Sequence, residues 1–363
     1  MKNKFLTIVL TVIGVFILMI VYLNFTTSPN IKIYSFERNF KDAKEILTYA
    51  DKLENPSRSQ YVLGITSDEN MVVCYDYEET EQKDSLNYSF YYYDTYFNNL
   101  GTYKAVVPKN VNVLYTDTQK LLFVFSFKLY RYFFETGEIK LIDLKGLQIS
   151  SLIPTNTPNQ YLCLAEYDKR NGFETGFYLI DAATNEITPV KALENNEESK
   201  ITVNMLKYSG YFKKSSANDL IVYYCTKYSK IYFFNSIGTF KKEMDTADRT
   251  PAPVVITSKE GMNYYKRGST WNNNHGLLFG DGEIGVFSAR TQEANVIITD
   301  FYSLSDFEYK RSYRTNYKGF SSYDILSTYG TKERIVFLFD TYFASFDFSR
   351  YINDDQLITN KNL

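Results

Sequence analysis

Histidine is almost absent from these 363 residues, with His275 the single example. Metal centres built on several imidazoles are thereby excluded, and a serine–histidine–acid arrangement would have one residue to draw on. No G-x-S-x-G segment supplies the serine for it, so no catalytic residue is assigned. Tryptophan is equally scarce, and the two rarities share one stretch, Trp271-Asn272-Asn273-Asn274-His275-Gly276. Cysteine is limited to Cys74, Cys163 and Cys225, too few for a disulfide framework. An excess of one charge is also missing. Lys plus Arg number 40 against 42 Asp plus Glu, which disfavours nucleic acid as a partner.

Long apolar runs are absent after the first. That one, Phe5 to Leu23, is uncharged and follows Lys2 and Lys4, with no further acid or base until Lys32. Its length matches the roughly 20 residues that a helix needs to cross the hydrocarbon core. The lysines before it predict a cytoplasmic N-terminus and an exported remainder in the periplasm or outside the cell. A cleaved signal peptide is the competing reading, but Asn24-Phe25-Thr26-Thr27-Ser28 is a poor cleavage site and the run exceeds the usual apolar core. The expected divisions are a cytoplasmic stub and signal-anchor over 1–27, a closing strand and connector over 28–56, a β domain over 57–352 and a polar tail over 353–363.

What the chain has in abundance is aromatic residues, 34 Tyr and 28 Phe. Half-buried pleated surfaces favour them. Beyond about residue 60, short aromatic and aliphatic runs alternate with Gly, Asn, Asp and Ser turns, the pattern of consecutive antiparallel strands. One unit recurs: an aromatic strand that ends in an acid or amide, a turn, then a more polar strand. It appears as Tyr91-Tyr92-Tyr93-Asp94, Tyr132-Phe133-Phe134-Glu135, Tyr178-Leu179-Ile180-Asp181 and Tyr232-Phe233-Phe234-Asn235. Looser copies end at Asp300, within Ile297 to Tyr302, and at Asp340, after Val336 to Phe339. Spacings of roughly 40 to 65 residues suit the four-stranded blade of a propeller with insertions. Each of the four clear copies follows an apolar second strand, as in Met71 to Cys74 or Leu220 to Tyr223. Six units predict an all-β, six-bladed propeller of four-stranded antiparallel blades, preceded by one transmembrane helix. The last unit is short of a strand, and the alternating Ile31 to Phe36 is expected to close the ring. Phe40, Ala43, Ile46, Leu47, Ala50 and Leu53 fall near helical spacing and predict a short helix over 39–55.

Other motifs weigh less. Gly280-Asp281-Gly282-Glu283-Ile284-Gly285 matches G-x-G-x-x-G, but Val286-Phe287-Ser288 opens a strand where a dinucleotide site needs a helix, so a glycine-rich hairpin and no nucleotide are expected. The cysteines sit at similar places in different units and read as separate buried thiols. Acidic clusters such as Asp76-Tyr77-Glu78-Glu79 match no EF-hand and read as solvated loops.

The layout resembles the extracytoplasmic six-bladed propellers of the TolB-like and NHL-like kind, especially uncharacterised membrane-anchored examples from Bacteroidota. Three stretches carry the likeness: Phe36 to Phe40; Phe240 to Pro251, with Asp245-Thr246-Ala247-Asp248-Arg249-Thr250; and Val296 to Tyr313, ending in Lys310-Arg311-Ser312-Tyr313. The resemblance implies a fold and a compartment. The function expected is a membrane-tethered module that binds or scaffolds a protein, peptide or glycan. For Trp271, Asn273 and His275 the plainer reading is a loop histidine beside a packed indole; as a partner surface they are the first candidates. No cofactor is predicted except, in an alternative reading as a hydrolase or lactonase, calcium held by Asp94, Asp181, Asn235, Asp300 and Asp340 in the central channel.

Overall fold

The computed structural model describes helical residues 13–16 and 18–19, then 37–41, 47–54, 71–81, 84–167, 175–194, 205–215, 217–260, 262–289, 295–316, 321, 324–330, 333–339 and 342–348. Among them, no helix is long and apolar enough to cross a membrane. Most of Phe5 to Leu23 lies outside the described residues, as do Ile31 to Phe36.

Strand β1 (Leu47–Glu54) is set aside by the chain for the last sheet. Blade 1 holds β2 (Met71–Glu79), β3 (Ser85–Asp94) and β4 (Asn99–Pro108), three strands among the described residues. Blade 2 is β5 (Asn112–Thr116), β6 (Lys120–Phe125), β7 (Lys128–Phe133) and β8 (Ile139–Ile142), and blade 3 is β9 (Leu147–Pro154), β10 (Gln160–Tyr167), β11 (Gly176–Asp181) and β12 (Glu186–Ala192). Blade 4 is β13 (Gly210–Ser215), β14 (Leu220–Cys225), β15 (Lys230–Asn235) and β16 (Phe240–Asp245). A separate hairpin of β17 (Val255–Thr257) and β18 (Asn263–Tyr265) precedes blade 5, which is β19 (Asn274–Phe279), β20 (Glu283–Ser288), β21 (Val296–Ser303) and β22 (Tyr309–Asn316). Blade 6 is β23 (Ser327–Gly330), β24 (Arg334–Leu338) and β25 (Tyr342–Phe348), completed on its outer side by β1.

The strands are apolar on both faces because each blade is sandwiched between two neighbours. In β14, Leu220, Val222 and Tyr224 enter the seam with blade 5, while Ile221, Tyr223 and Cys225 enter the seam with blade 3. Six apolar clusters fill the six seams, the last joining Val336, Leu338 and Phe343 of blade 6 to Tyr93 of blade 1. The chain is thus a closed six-bladed propeller. Tyrosine suits these seams because its ring fills volume while its hydroxyl reaches a backbone acceptor. Tyr223, fully buried, donates to Tyr208 O at 2.7 Å, and Tyr92 donates to Asp117 O at 2.8 Å. The inner strands of blades 5 and 6 touch at Gly276, where a Cβ would lie 1.7 Å from Thr328 Oγ1.

Closure differs from the expectation. The outer edge of β25 pairs with Leu47–Glu54 and is not free for Ile31 to Phe36. The predicted helix over 39–55 is also replaced, by this strand and by an extended segment over 37–41. Its misleading period has a physical source. A β-bulge between Tyr49 and Asp51 breaks the two-residue alternation, so the less exposed positions Leu47, Ala50 and Leu53 fall three apart.

The repeat needs three adjustments. Asp94, Asp181 and Asn235 end strands, as expected, but Glu135 lies in the turn after β7, which ends at Phe133, and Asp300 lies inside β21, whose end is Ser303. The sixth copy, Val336 to Phe339, belongs to a second strand, and Asp340 lies outside the described residues. The glycine-rich motif is a strand turn, with Gly282 at φ 73° between β19 and β20. Cys163 and Cys225 are buried, unlinked and in different seams, and burial pushes both thiols up. The Cys74 side chain lies outside the described residues.

Candidate binding site between the fourth and fifth blades

The connection that leaves β16 is pinned from both sides. Thr246 N–H donates to Ser229 O at 2.8 Å, Ser229 N–H to Thr250 O at 3.1 Å, and Ala247 N–H to the Tyr302 hydroxyl at 2.6 Å. These bonds force a tight turn in which Arg249 adopts φ 46°, a left-handed conformation uncommon outside glycine, asparagine and aspartate. The turn aims Asp248 inward and Arg249 outward.

Inward, Asp248 meets Arg38. Its guanidinium bonds Asp248 and, in a fork, both carboxylate oxygens of Asp300, through Nε at 2.9 Å and Nη2 at 3.0 Å. Ser288 Oγ donates to Asp248 Oδ2 at 2.7 Å, and Ser312 Oγ donates to Asp300 Oδ1. The side chains of Arg38, Asp248 and Asp300 are 12%, 4% and 1% exposed. Burial alone would lower the Arg38 pKa, but the hydrogen bond and charge of Asp300 and the charge of Asp248 outweigh it and hold the guanidinium above its usual range. Asp248 sits above the usual carboxylate range because burial, reinforced by the nearby Asp300 charge, exceeds the opposing pull of Arg38. Such a buried triad contributes little net stability compared with apolar groups, yet it demands one register. That register seats residues 37–41 along β22: Ser312 N–H donates to Asn39 O at 2.9 Å, Lys41 N–H to Ser312 O at 3.1 Å, and Asn39 N–H to the Tyr309 hydroxyl at 2.8 Å.

Beside the triad opens a pocket of about 490 Å³, lined chiefly by Tyr228, Thr246, Arg249, Tyr302, Phe307 and Tyr309. Its walls combine rings, hydroxyls and the Arg249 guanidinium with Asp245, whose carboxylate pairs with Lys230 at 3.3 Å. Tyr302 is buried with its oxygen committed to Ala247, Tyr309 is committed to Ser312 and Asn39, and Phe307 packs on Phe233 with ring centroids 4.5 Å apart. The walls are therefore largely preformed.

None of the candidates read from sequence lines this pocket. Asn273 and His275 are buried and Trp271 is half-buried, and His275 belongs to β19, not to an exposed loop. Asn273 laces the start of blade 5 to blade 4, donating its N–H to Thr226 O at 2.7 Å and its amide to Thr246 Oγ1 at 3.1 Å. It supports the pocket wall from the far side. The repeated acid and amide positions serve turns: Asp94 Oδ1 accepts Tyr96 and Asn98 N–H, Asp181 Oδ1 accepts Ala183 and Thr184 N–H, and Asn235 Oδ1 accepts Thr239 N–H. Among the described residues no three His, Cys, Asp or Glu side chains are grouped to hold a metal ion. Sequence reasoning gave Tyr228, Arg249, Phe307 and Tyr309 no role. Three stretches singled out in the sequence, Phe36 to Phe40, Phe240 to Pro251 and Val296 to Tyr313, converge here, through Arg38, Asp248 with Arg249, and Asp300 to Ser312.

No protein-family model matches the chain, and no curated protein matches it. Solved structures do. A protein of unknown function from Bacteroides thetaiotaomicron VPI-5482 is 10% identical, with 86% of this chain and 72% of that one covered and a TM-score of 0.43. A member of the DUF4221 family from Bacteroides vulgatus ATCC 8482 is 12% identical over 84% of this chain and 99% of its own, with a TM-score of 0.47. A streptogramin B lyase is 12% identical over 85% and 100%, with a TM-score of 0.41.

Proposed function

We propose that this propeller is a non-catalytic binding module, held on the outer side of a membrane by the apolar segment Phe5 to Leu23, and that its pocket between blades 4 and 5 receives a peptide or glycan segment of a partner. The pocket's lining supports this reading. Flat aromatic walls beside hydroxyls and an outward guanidinium suit a chain that alternates apolar faces with polar groups. The neighbouring carboxylates Asp248 and Asp300 are engaged by Arg38, Ser288 and Ser312, so they hold the site together and do not act on a ligand. Backbone strain at Arg249 fits the same role, since strained positions concentrate at ligand sites.

Glycan and peptide arrays followed by calorimetry of the hits test it, with Arg249→Gly as the decisive variant. Glycine relieves the positive φ, so stability holds or rises by about 0.5–1 kcal/mol. Binding should fall at least ten-fold. Hits whose affinity is indifferent to Arg249→Gly and to Tyr228→Ala would place the partner elsewhere.

A further inference from the structure

In each blade the chain runs antiparallel from the inner strand outward. Turns between first and second and between third and fourth strands therefore lie on one face of the ring. Turns between second and third strands share the other face with the connections from blade to blade. The first face is acidic in its turns, whereas the second mixes acids such as Glu81, Asp143 and Asp324 with bases that gather around one hairpin. On the first, every charged residue in the described turns is acidic, including Asp117, Glu135, Glu138, Asp281, Asp306 and Glu308.

The second face carries the hairpin β17–β18, which no other connection among the described residues matches. Ile256 stands opposite Tyr264, and Val254 and Met262 extend the same face through the bonds Lys266 N–H to Val254 O and Ser258 N–H to Met262 O. These four side chains are 36%, 48%, 49% and 67% exposed, respectively. The hairpin's reverse is fastened down, since the Tyr265 hydroxyl donates to Leu206 O at 2.9 Å. Around the apolar face stand exposed Lys259, Lys266 and Arg267, with Lys227 over the Tyr265 ring at 5.7 Å and Glu260 as the acid among them. A basic fringe is the reverse of what the opposite face shows.

A second apolar projection stands across the ring on the same face. Blade 2 is opposite blade 5, and its β6–β7 turn consists of Ser126 and Phe127 at φ 49° and 61°. Such turns favour Asn-Gly, yet here a phenylalanine is held at the tip, 75% exposed. A partner that takes both projections must be flat and as wide as the ring. We infer that this face docks on a lipid bilayer with anionic headgroups: Val254, Ile256, Met262, Tyr264 and Phe127 enter the headgroup region, and Lys259, Lys266 and Arg267 meet the lipid charge. The docking depends neither on a ligand in the pocket nor on the apolar N-terminal run.

The test uses the full chain, transferred from detergent into phosphatidylcholine vesicles or into vesicles with about 30% phosphatidylglycerol, an anionic surface. An environment-sensitive fluorophore is placed at Met262→Cys, Phe127→Cys or Ile237→Cys, the last being 50% exposed on the acidic face; the unsubstituted chain sets the labelling background. Emission from 262 and 127 should shift to the blue on anionic vesicles only, and 237 should stay unshifted. Insertion of the N-terminal run would bring the chain to both vesicle types without moving these probes. Replacing Lys259, Lys266 and Arg267 with Gln should lower the docked population roughly 100-fold, about five-fold per charge, and about 0.5 M salt should act in the same direction. An unshifted 262 probe, an equal shift on neutral vesicles or a shift at 237 overturns the inference. A lipid-free shift that grows with protein concentration also overturns it and assigns the hairpin to a second copy of the chain.

Discussion

Replacing Arg38 with alanine is expected to damage this propeller more than any change on its surface. The substitution leaves the carboxylates of Asp248 and Asp300, at 4% and 1% exposure, facing each other without a cation. Removing one partner of a buried ion pair costs about 3–5 kcal/mol, because the remaining charge keeps its desolvation penalty and loses its compensation. At roughly 2 °C per kcal/mol for a domain of this size, the midpoint should fall by about 6–10 °C in scanning calorimetry. The loss should also depend on pH. Burial already holds Asp248 above its usual range, and without the guanidinium the pull that opposes burial is gone, so the folded state binds more protons and its stability declines as pH rises. The deficit of Arg38→Ala is therefore smaller at pH 5 than at pH 8. Adding Asp248→Asn and Asp300→Asn should recover part of the loss. Hydrogen exchange should show early opening of the Lys41 and Ser312 amides, which bond across this junction. A midpoint shift below about 1 °C, no recovery in the triple variant, or unchanged protection at those two amides would refute the reasoning.

Three further outcomes follow from other parts of the ring. Gly276→Ala drives a Cβ into Thr328 Oγ1, 1.7 Å away, and should destabilise by about 1–3 kcal/mol in urea titrations; Thr328→Ala should restore only part of it, because the Thr328 Cβ still lies 2.8 Å from the new methyl, and Thr328→Gly should restore more. The Asp306 carboxyl is held down to about 2 by the Glu308 N–H and the Lys310 ammonium. Its folded pKa lies below the unfolded value, so its contribution is present above about pH 4 and is lost as pH falls toward 2; Asp306→Asn should remove that part of the acid transition. Cys163 and Cys225, buried with raised pKa values, should stay unreactive toward a thiol reagent at pH 8 until denaturant is added. Modification of either in the native protein would place it nearer the surface than its seam.

Local pattern determined a good deal. Aromatic runs that end in Asp94, Asp181 or Asn235 specify strand and turn together, because the strand needs bulky side chains on both faces and the turn needs an oxygen to accept the next free N–H groups. That information is contained within about eight residues, so four of the six units were legible with their second strands, and with them the propeller itself. The solitary glycine motif was legible for the same reason, since its flanks read as strands. Tertiary structure decided the rest. Leu47–Glu54 becomes a strand only because β25 offers it an open edge, and its bulge disguises the strand as a helical period. Arg38 acquires meaning only beside Asp248 and Asp300, more than two hundred residues away, and Arg249 lines a pocket only because bonds from two blades bend its turn. His275, conspicuous by rarity, is buried because the closing ring surrounds the strand that carries it. Strand and turn are short-range chemistry, written in neighbouring side chains. Closure, charge pairing and pocket arise from contacts between blades, which depend on the order of sheets around the ring and leave no periodic trace along the chain.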